Sequence, residues 1–353
     1  MVWLYIGIIM CMRVVQSVLS KRSATLMPRN MIGYIKYTCF YEGVAAVFAA
    51  ALFGIEAIRG GGAAHAGETL LYAAVSGAAL AVSCMCGKYM LISGTMALNS
   101  LFGTAGLLIP TVASIFLYGE TLDALQWIAV AVFMAGAALL IFSSKRQYGR
   151  FTVKTFFVLL LTLASNGITM LMQKMFGMEV SGGSVSLFSF ASFAAGVLLT
   201  AVWLPFFELA YRRKRAVAAG CAAMPIPETA AVLDEDGGET PDRTAERGTA
   251  ADAAAARDGD AEFRLLPADD AGKKLPRRVL LYGVFLAAAV FIINQLATLS
   301  TPLVSSVVLF ALINGGATII SAVTGAVLFG EKLTLRSIAG IVLGVGALVL
   351  LQI

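Results

Sequence analysis

Charge is what this chain has least of. Asp, Glu, Lys and Arg supply 13% of its 353 residues, about half the share usual in a soluble domain. So few charges cannot clothe a water-facing surface, which excludes a soluble globular protein of this length. Histidine occurs once, as His65, which excludes a multi-histidine metal centre and leaves little for histidine-based catalysis. A Gly-rich phosphate loop, a nucleophile–base spacing and paired carboxylates within apolar runs are all missing. An enzyme is therefore not expected, nor a cofactor, nor a nucleic-acid partner. Cysteine is sparse. Of Cys11, Cys39, Cys84, Cys86 and Cys221, four lie in apolar stretches, where a thiol packs as a small apolar group, so no secreted disulfide framework follows. Residues 1–20 lack a basic leader, and Arg13 interrupts their apolar run. They read as a first membrane helix, not a cleavable signal.

What remains is apolar. Hydrophobic residues make up 59% of the chain, and stretches of about 20 recur, the length that crosses a hydrocarbon core as a helix. The alternating pattern of an outer-membrane barrel is missing. The expected fold is all-α, a polytopic protein of the cell membrane with the lipid bilayer as its first partner. Ten spans are expected at 2–20, 33–57, 69–91, 94–118, 124–142, 154–176, 185–209, 279–299, 302–329 and 335–352. One connection, 211–277, is foreign to the rest. Between Gly220 and Asp270 it holds 13 acidic and 4 basic residues, a net of −9, with few large apolar groups. Such a composition does not repay the entropy of ordering, so a disordered, cytoplasmic insert is expected. Arg212, Arg213, Lys214 and Arg215 precede it, and Lys273, Lys274, Arg277 and Arg278 follow.

The chain also repeats itself. "TLLYAAVSGAAL" from Thr69 resembles "VLLYGVFLAAAV" from Val279, with Leu70, Leu71 and Tyr72 recurring at +210. Gly119 and Glu120 recur as Gly330 and Glu331, and Gly136 and Ala137 as Gly346 and Ala347. "VVQSVLSK" around Gln16 weakly echoes "LMQKMFG" around Gln173, at +157. The insert accounts for the difference between the offsets. Two five-helix repeats follow, 1–145 and 146–353. Five is odd, so the second copy enters the membrane from the opposite side. Inverted repeats of this kind mark many transporters, with the substrate near the midplane between halves. The repeated Gly-Glu phrase reads locally as a turn. Glycine suits the left-handed position past a helix end, Asp123 or Thr334 caps the next helix, and the glutamate sits near its positive pole.

The two halves close with "YGETLDALQWIAVAVFMAGAALLIF" and "FGEKLTLRSIAGIVLGVGALVLL". With ten helices in two halves, the chain resembles the drug/metabolite transporter superfamily in its EamA-type branch, over nearly all its length apart from 211–277. The resemblance implies a multi-pass secondary transporter moving a small organic metabolite or drug-like solute by alternating access, with no particular substrate. Small multidrug-resistance relatives carry a carboxylate in helix 1, where this chain has Arg13. That departure argues against proton-coupled export of lipophilic cations and suits an anionic or zwitterionic solute. Two alternatives stand beside this reading. One is a non-transporting membrane scaffold or sensor. The other is a Cu(I)-handling protein using the soft sulfur clusters "MCM" at 10–12 and "CMC" at 84–86.

Polar groups at membrane depth are the candidate substrate-binding residues, since they are costly there and mark function by default. Arg13 and Glu42 lie at matching depths and are expected to pair between helices 1 and 2. The amides Gln16, Asn99, Asn166, Gln173, Asn294, Gln295 and Asn314 sit inside predicted spans, either touching substrate or bonding between helices. Gly315 and Gly316 follow Asn314, so the ninth helix is expected to weaken there. Gly340 and Gly344 form a GxxxG step, suited to packing within the bundle or to a homodimer. Basic residues gather on the odd-numbered connections, while the even ones hold little beyond Arg59 and Lys174. The positive-inside rule then places the odd connections in the cytoplasm and both termini outside. A fluorescent reporter fused after Ile353 checks this: the expected outcome is a dark fusion, and a fluorescent one contradicts the orientation.

Overall fold

In hydrocarbon a peptide group finds no water to bond, so an apolar run must satisfy its own backbone, and a helix does so within one segment. The computed structural model describes residues 2–27, 31–60, 65–93, 102–121, 123–142, 153–222, 275–329 and 335–350, and every regular element among them is helical. In chain order these are α1 (Val2–Leu26), α2 (Met31–Ile58), α3 (Ala66–Ser93), α4 (Leu108–Tyr118), α5 (Ala124–Phe142), α6 (Val153–Glu179), α7 (Val185–Ala222) and α8 (Arg277–Ser300). A short α9 (Ser306–Phe310) runs through a π turn (Ala311–Gly315) into α10 (Gly316–Phe329), and α11 (Leu335–Leu350) follows.

Six described helices are long and apolar enough to cross a membrane, within α1, α2, α3, α6, α7 and α8. Shorter apolar helices, Phe102–Tyr118, Ala124–Gly136, Val308–Ile320 and Ile338–Ala347, fall at the other four expected positions. The chain is a multi-pass membrane protein. Its outside is apolar: Trp3, Leu4, Phe116, Phe157, Leu198 and Val342 are among many large exposed hydrophobics. Its inside is rich in small polar residues, with Ser76, Thr111, Ser114, Thr162, Ser189 and Thr298 all buried. This inversion suits a solvent as apolar as leucine, where close packing and interhelical hydrogen bonds replace the hydrophobic effect.

The insert needs one correction. Residues 211–222 continue α7 as helix and are not part of a disordered loop. Their sequence, Tyr-Arg-Arg-Lys-Arg-Ala-Val-Ala-Ala, consists largely of strong helix formers, which carry the helix past its apolar span ending at Ala210. The rest of the insert up to residue 274 lies outside the described residues.

The principal packed pairs are α2 with α7, α5 with α11, α3 with α6 and α7, α1 with α8, and α2 with α8; α1 also meets α10, and α4 meets α6. Exchanging the first five helical stretches for the second five maps this set onto itself. The pair α3–α6 becomes α8–α1, α3–α7 becomes α8–α2, and α4–α6 becomes α10–α1, while α2–α7 and α5–α11 are their own images. Glycines set the closest approaches. A Cβ on Gly77 of α3 would stand 2.1 Å from the Ser192 carbonyl oxygen of α7. Gly136 of α5 lies against the backbones of Gly340 and Gly344 of α11, so the GxxxG step is used inside the bundle. Gly119 ends α4 at φ 63°, as the Gly-Glu phrase predicts; its counterpart at 330–331 lies outside the described residues.

Gly77→Ala should therefore destabilise the bundle by about 1–3 kcal/mol, the range for overpacking. Gly7, whose added Cβ would meet nothing within 4 Å, should tolerate alanine with an unchanged or raised midpoint. Thermal unfolding in detergent distinguishes the two, and equal effects contradict the packing described.

Candidate functional site

The fourth and ninth helical stretches both depart from a regular α-helix, and the +210 offset puts the turn of the fourth at 316–317, just past the π turn of the ninth. Residues 102–105 are helical, but Gly106 bonds back to Phe102 and Gly103 in a turn before α4 starts at Leu108. Pro110 stands in the first turn of α4, where a missing N–H costs little. In the ninth stretch the break is the π turn at Ala311–Gly315, a feature that clusters at functional sites. A side chain from a neighbouring helix serves the first, and one within the turn itself serves the second. Asn166 Nδ2 of α6 donates to the Gly103 carbonyl at 2.5 Å, and Asn314 Nδ2 donates to the Phe310 carbonyl at 3.3 Å and reaches Met170 Sδ at 3.4 Å. The hydroxyls of Thr104 and Thr318 meet at 3.2 Å, joining one broken stretch to the other.

A chain of neutral hydrogen bonds runs beside this point. Gln173 of α6 donates to Asn294 Oδ1 of α8 at 2.6 Å, and Asn294 donates to Ser189 Oγ of α7 at 3.2 Å. Ser189 donates to Gln295 Oε1 at 2.8 Å, and Gln295 donates to Ser186 Oγ at 3.0 Å. Ser186 and Ser184 both donate to the Glu56 carboxylate of α2, at 2.6 and 2.7 Å. Four helices are thus tied together, and Gln295 is buried between two serines as an interhelical tie.

The end of the bundle beyond this network is closed by charge. Lys174, with 3% of its side chain exposed, bonds Glu120 at 2.9 Å. It also donates to the carbonyls of Thr301 and Val304 at 3.0 and 3.4 Å. The hydroxyls of Tyr72 and Tyr118 both donate to Glu179. The turn after α4, the ends of α6 and α8 and the start of α3 therefore meet in one ionic and phenolic seal. Sequence reasoning placed Lys174 on a connection. It lies inside α6, because a carboxylate and two helix-end carbonyls there supply what water would. The clue was a lysine following Gln173 in an apolar run; Glu56, Ser186 and Ser189 gave no comparable signal.

The other sequence candidates are dispersed. Arg13 Nη1 donates to Gln16 Oε1 at 2.9 Å and does not pair with Glu42. The expected pair fails because α1 packs on α8 and α10, while Glu42 is buried in α2 near Gly196 of α7 and Gly77 of α3. Asn99 lies outside the described residues. Cys11 is exposed on α1, and Cys84 of α3 meets the Tyr41 hydroxyl at 3.6 Å, so the two sulfur clusters sit on helices with different principal partners. A cavity of about 340 Å³ opens between α3 and α6. Its walls, Val75, Ala79, Val82, Leu161 and Ile168, are apolar apart from Ser165, and it contains none of the amides.

No family model and no curated protein matches the chain. Among solved structures 26 chains match. One of them, described only as the crystal structure of a protein, has a TM-score of 0.62 at 13% identity, covering 98% of this chain and 94% of its own. At that identity the likeness shows a shared fold alone.

Removing Lys174 takes from Glu120 its ion-pair partner and from two carbonyls their donor. Lys174→Met should cost about 2–3 kcal/mol, below the 3–5 kcal/mol of a fully enclosed pair because Glu120 is 19% exposed. Adding Glu120→Gln to Lys174→Met should cost less than the sum of the single changes. A double-mutant cycle by thermal unfolding measures this, and strict additivity contradicts a direct ion pair.

Proposed function

We propose that the chain is a secondary transporter that moves a small organic solute across the cell membrane by alternating access between two inverted five-helix halves. The observation that carries this reading is a pair of irregular turns, one in the fourth and one in the ninth stretch, a few residues out of register under the repeat and linked by Thr104 and Thr318. Irregular backbone at membrane depth is tolerated where protein or a cavity covers it. Short or Gly-interrupted segments at matching positions of two repeats point to the binding site of a carrier. Three further features support the reading. The principal packed pairs exchange under the repeat. The amides Asn166, Asn314, Gln173 and Asn294 cluster at and beside the breaks. The ionic seal at Lys174 closes one end, as one state of a two-state carrier requires. The EamA-type branch of the drug/metabolite transporter superfamily is the family this architecture fits.

The two ends are not chemically equal. The repeat relates Lys174 to Ser17 and Glu120 to Glu331, so the lysine of this ion pair has no lysine at the repeat-related position. Opening that end must break the ion pair, which biases the carrier toward the state closed there.

Proteoliposomes loaded with a panel of amino acids, nucleosides, sugars and vitamins test the proposal by counterflow. The expected outcome is saturable exchange of at least one solute. Asn166→Leu and Asn314→Leu should each slow it tenfold or more while the protein stays monodisperse. Absence of flux across the panel, or full flux in both variants, overturns it.

A further inference from the structure

Two cations lie at depth in this bundle, and their surroundings differ. Lys174 has a carboxylate within 2.9 Å. Arg13 has none. Its one hydrogen bond is to the neutral amide of Gln16, and its Nε is enclosed without a partner among the described residues. The helix itself explains why. Neither α1 nor the elements packed on it, α8, the π turn and α10, contain a single Asp or Glu. Glu42, the carboxylate the sequence offered, is held in α2 near glycines of α3 and α7.

Arg13 is also central. It is the middle residue of the apolar span Val2–Ala24, eleven residues and about 16 Å of helix rise from either end. It faces inward: Ile6 and Ile9, on the same face of α1, are buried, whereas Leu4, Ile8, Val14 and Val15 are exposed toward lipid. Met10, three residues earlier, packs on Gly316 at the end of the π turn. Helix α1 therefore passes beside the π turn of the ninth stretch. The repeat does not require Arg13, since the position related to it is Met170, and Gln173, the counterpart of Gln16, is already satisfied by Asn294.

We propose that Arg13, steadied by Gln16, receives an oxyanion of the transported solute, so that the cargo is an organic anion or a zwitterion. A guanidinium offers a planar fork of donors that matches carboxylate or phosphate oxygens, and in a low-dielectric interior it needs a counter-charge that no described neighbour supplies. The solute brings that charge with it and leaves with it. This rests on the transporter reading, and it names the chemistry of the same site.

Full-length protein in phosphatidylcholine nanodiscs provides a test that does not depend on flux. Thermal midpoints are read with phenylalanine, benzoate and glycerol 3-phosphate, with uridine and glucose as neutral probes, and with tetraphenylphosphonium as a cation. At least one oxyanion-bearing probe should raise the midpoint. Arg13→Gln should abolish the shift or raise its half-saturating concentration tenfold or more, and Arg13→Lys should retain part of it. If Arg13→Gln does not fold, the comparison of wild type with Arg13→Lys carries the test, and identical half-saturation in the two overturns the proposal. Stabilisation by neutral or cationic probes only, by none, or equally in Arg13→Gln also overturns it. A second arm adds phosphatidylglycerol to the discs. If Arg13-dependent stabilisation follows that lipid and no solute, the oxyanion is a headgroup and the solute assignment fails. Counterflow of the same variants in proteoliposomes separates the two readings. Binding without flux contradicts the transporter, while flux of cations alone, unaffected by Arg13→Gln, contradicts only the anion site.

Discussion

The structure depends on one constraint: inside a bilayer every peptide N–H and C=O must find a partner within the protein. The described apolar stretches meet it mostly as regular helix. The fourth and ninth deviate, in a turn at Gly106 and a π turn at Ala311–Gly315, and side chains there add to the backbone bonds. Asn166 takes up a carbonyl at the first break, Asn314 one at the second, and the threonine hydroxyls join the two. A break so supported costs side chains that could otherwise pack. An irregular turn in both stretches is better explained by use than by accident.

Around the breaks the bundle is built from small residues. Glycines bring α3 onto α7 and α5 onto α11 at backbone distance, and serines and threonines fill the interior. Neutral hydrogen bonds between membrane helices are individually weak, about 0.6 kcal/mol on average. The chain from Gln173 to Glu56 therefore does more to set the register of α2, α6, α7 and α8 than to bind them together. Interior charge plays different roles: a lysine paired with Glu120 at one end, Glu56 bonded by serines, Glu42 buried in α2, and Arg13 at mid-depth with no carboxylate neighbour among the described residues.

Much of the architecture was legible in sequence, because a span is a one-dimensional property: about 20 apolar residues read as a helix wherever they stand. The positions of the helical stretches, the turn at Gly119 and the weakened ninth helix near Asn314 all follow from local composition. Which helix touches which does not. The pair Arg13–Glu42 was inferred from matching depth, but depth says nothing of direction around the bundle, and α1 packs on α8 and α10. Lys174 was misplaced for a related reason. A cation near a helix end reads as a loop residue until the Glu120 turn and the carbonyls of Thr301 and Val304 are brought against it in space. The helical start of the insert, 211–222, was hidden because charge was weighed above helix propensity.

The central claim is that the end sealed by Lys174 and Glu120 opens and closes. Electron–electron distance measurements between spin labels at Thr121 and Ser181, both exposed at that end, test it directly, in a chain whose native cysteines are replaced by alanine. The account predicts two distance populations, with the longer one gaining weight when Glu120→Gln removes the ion pair. A single narrow distance, unchanged by Glu120→Gln and by every solute tried, would contradict it.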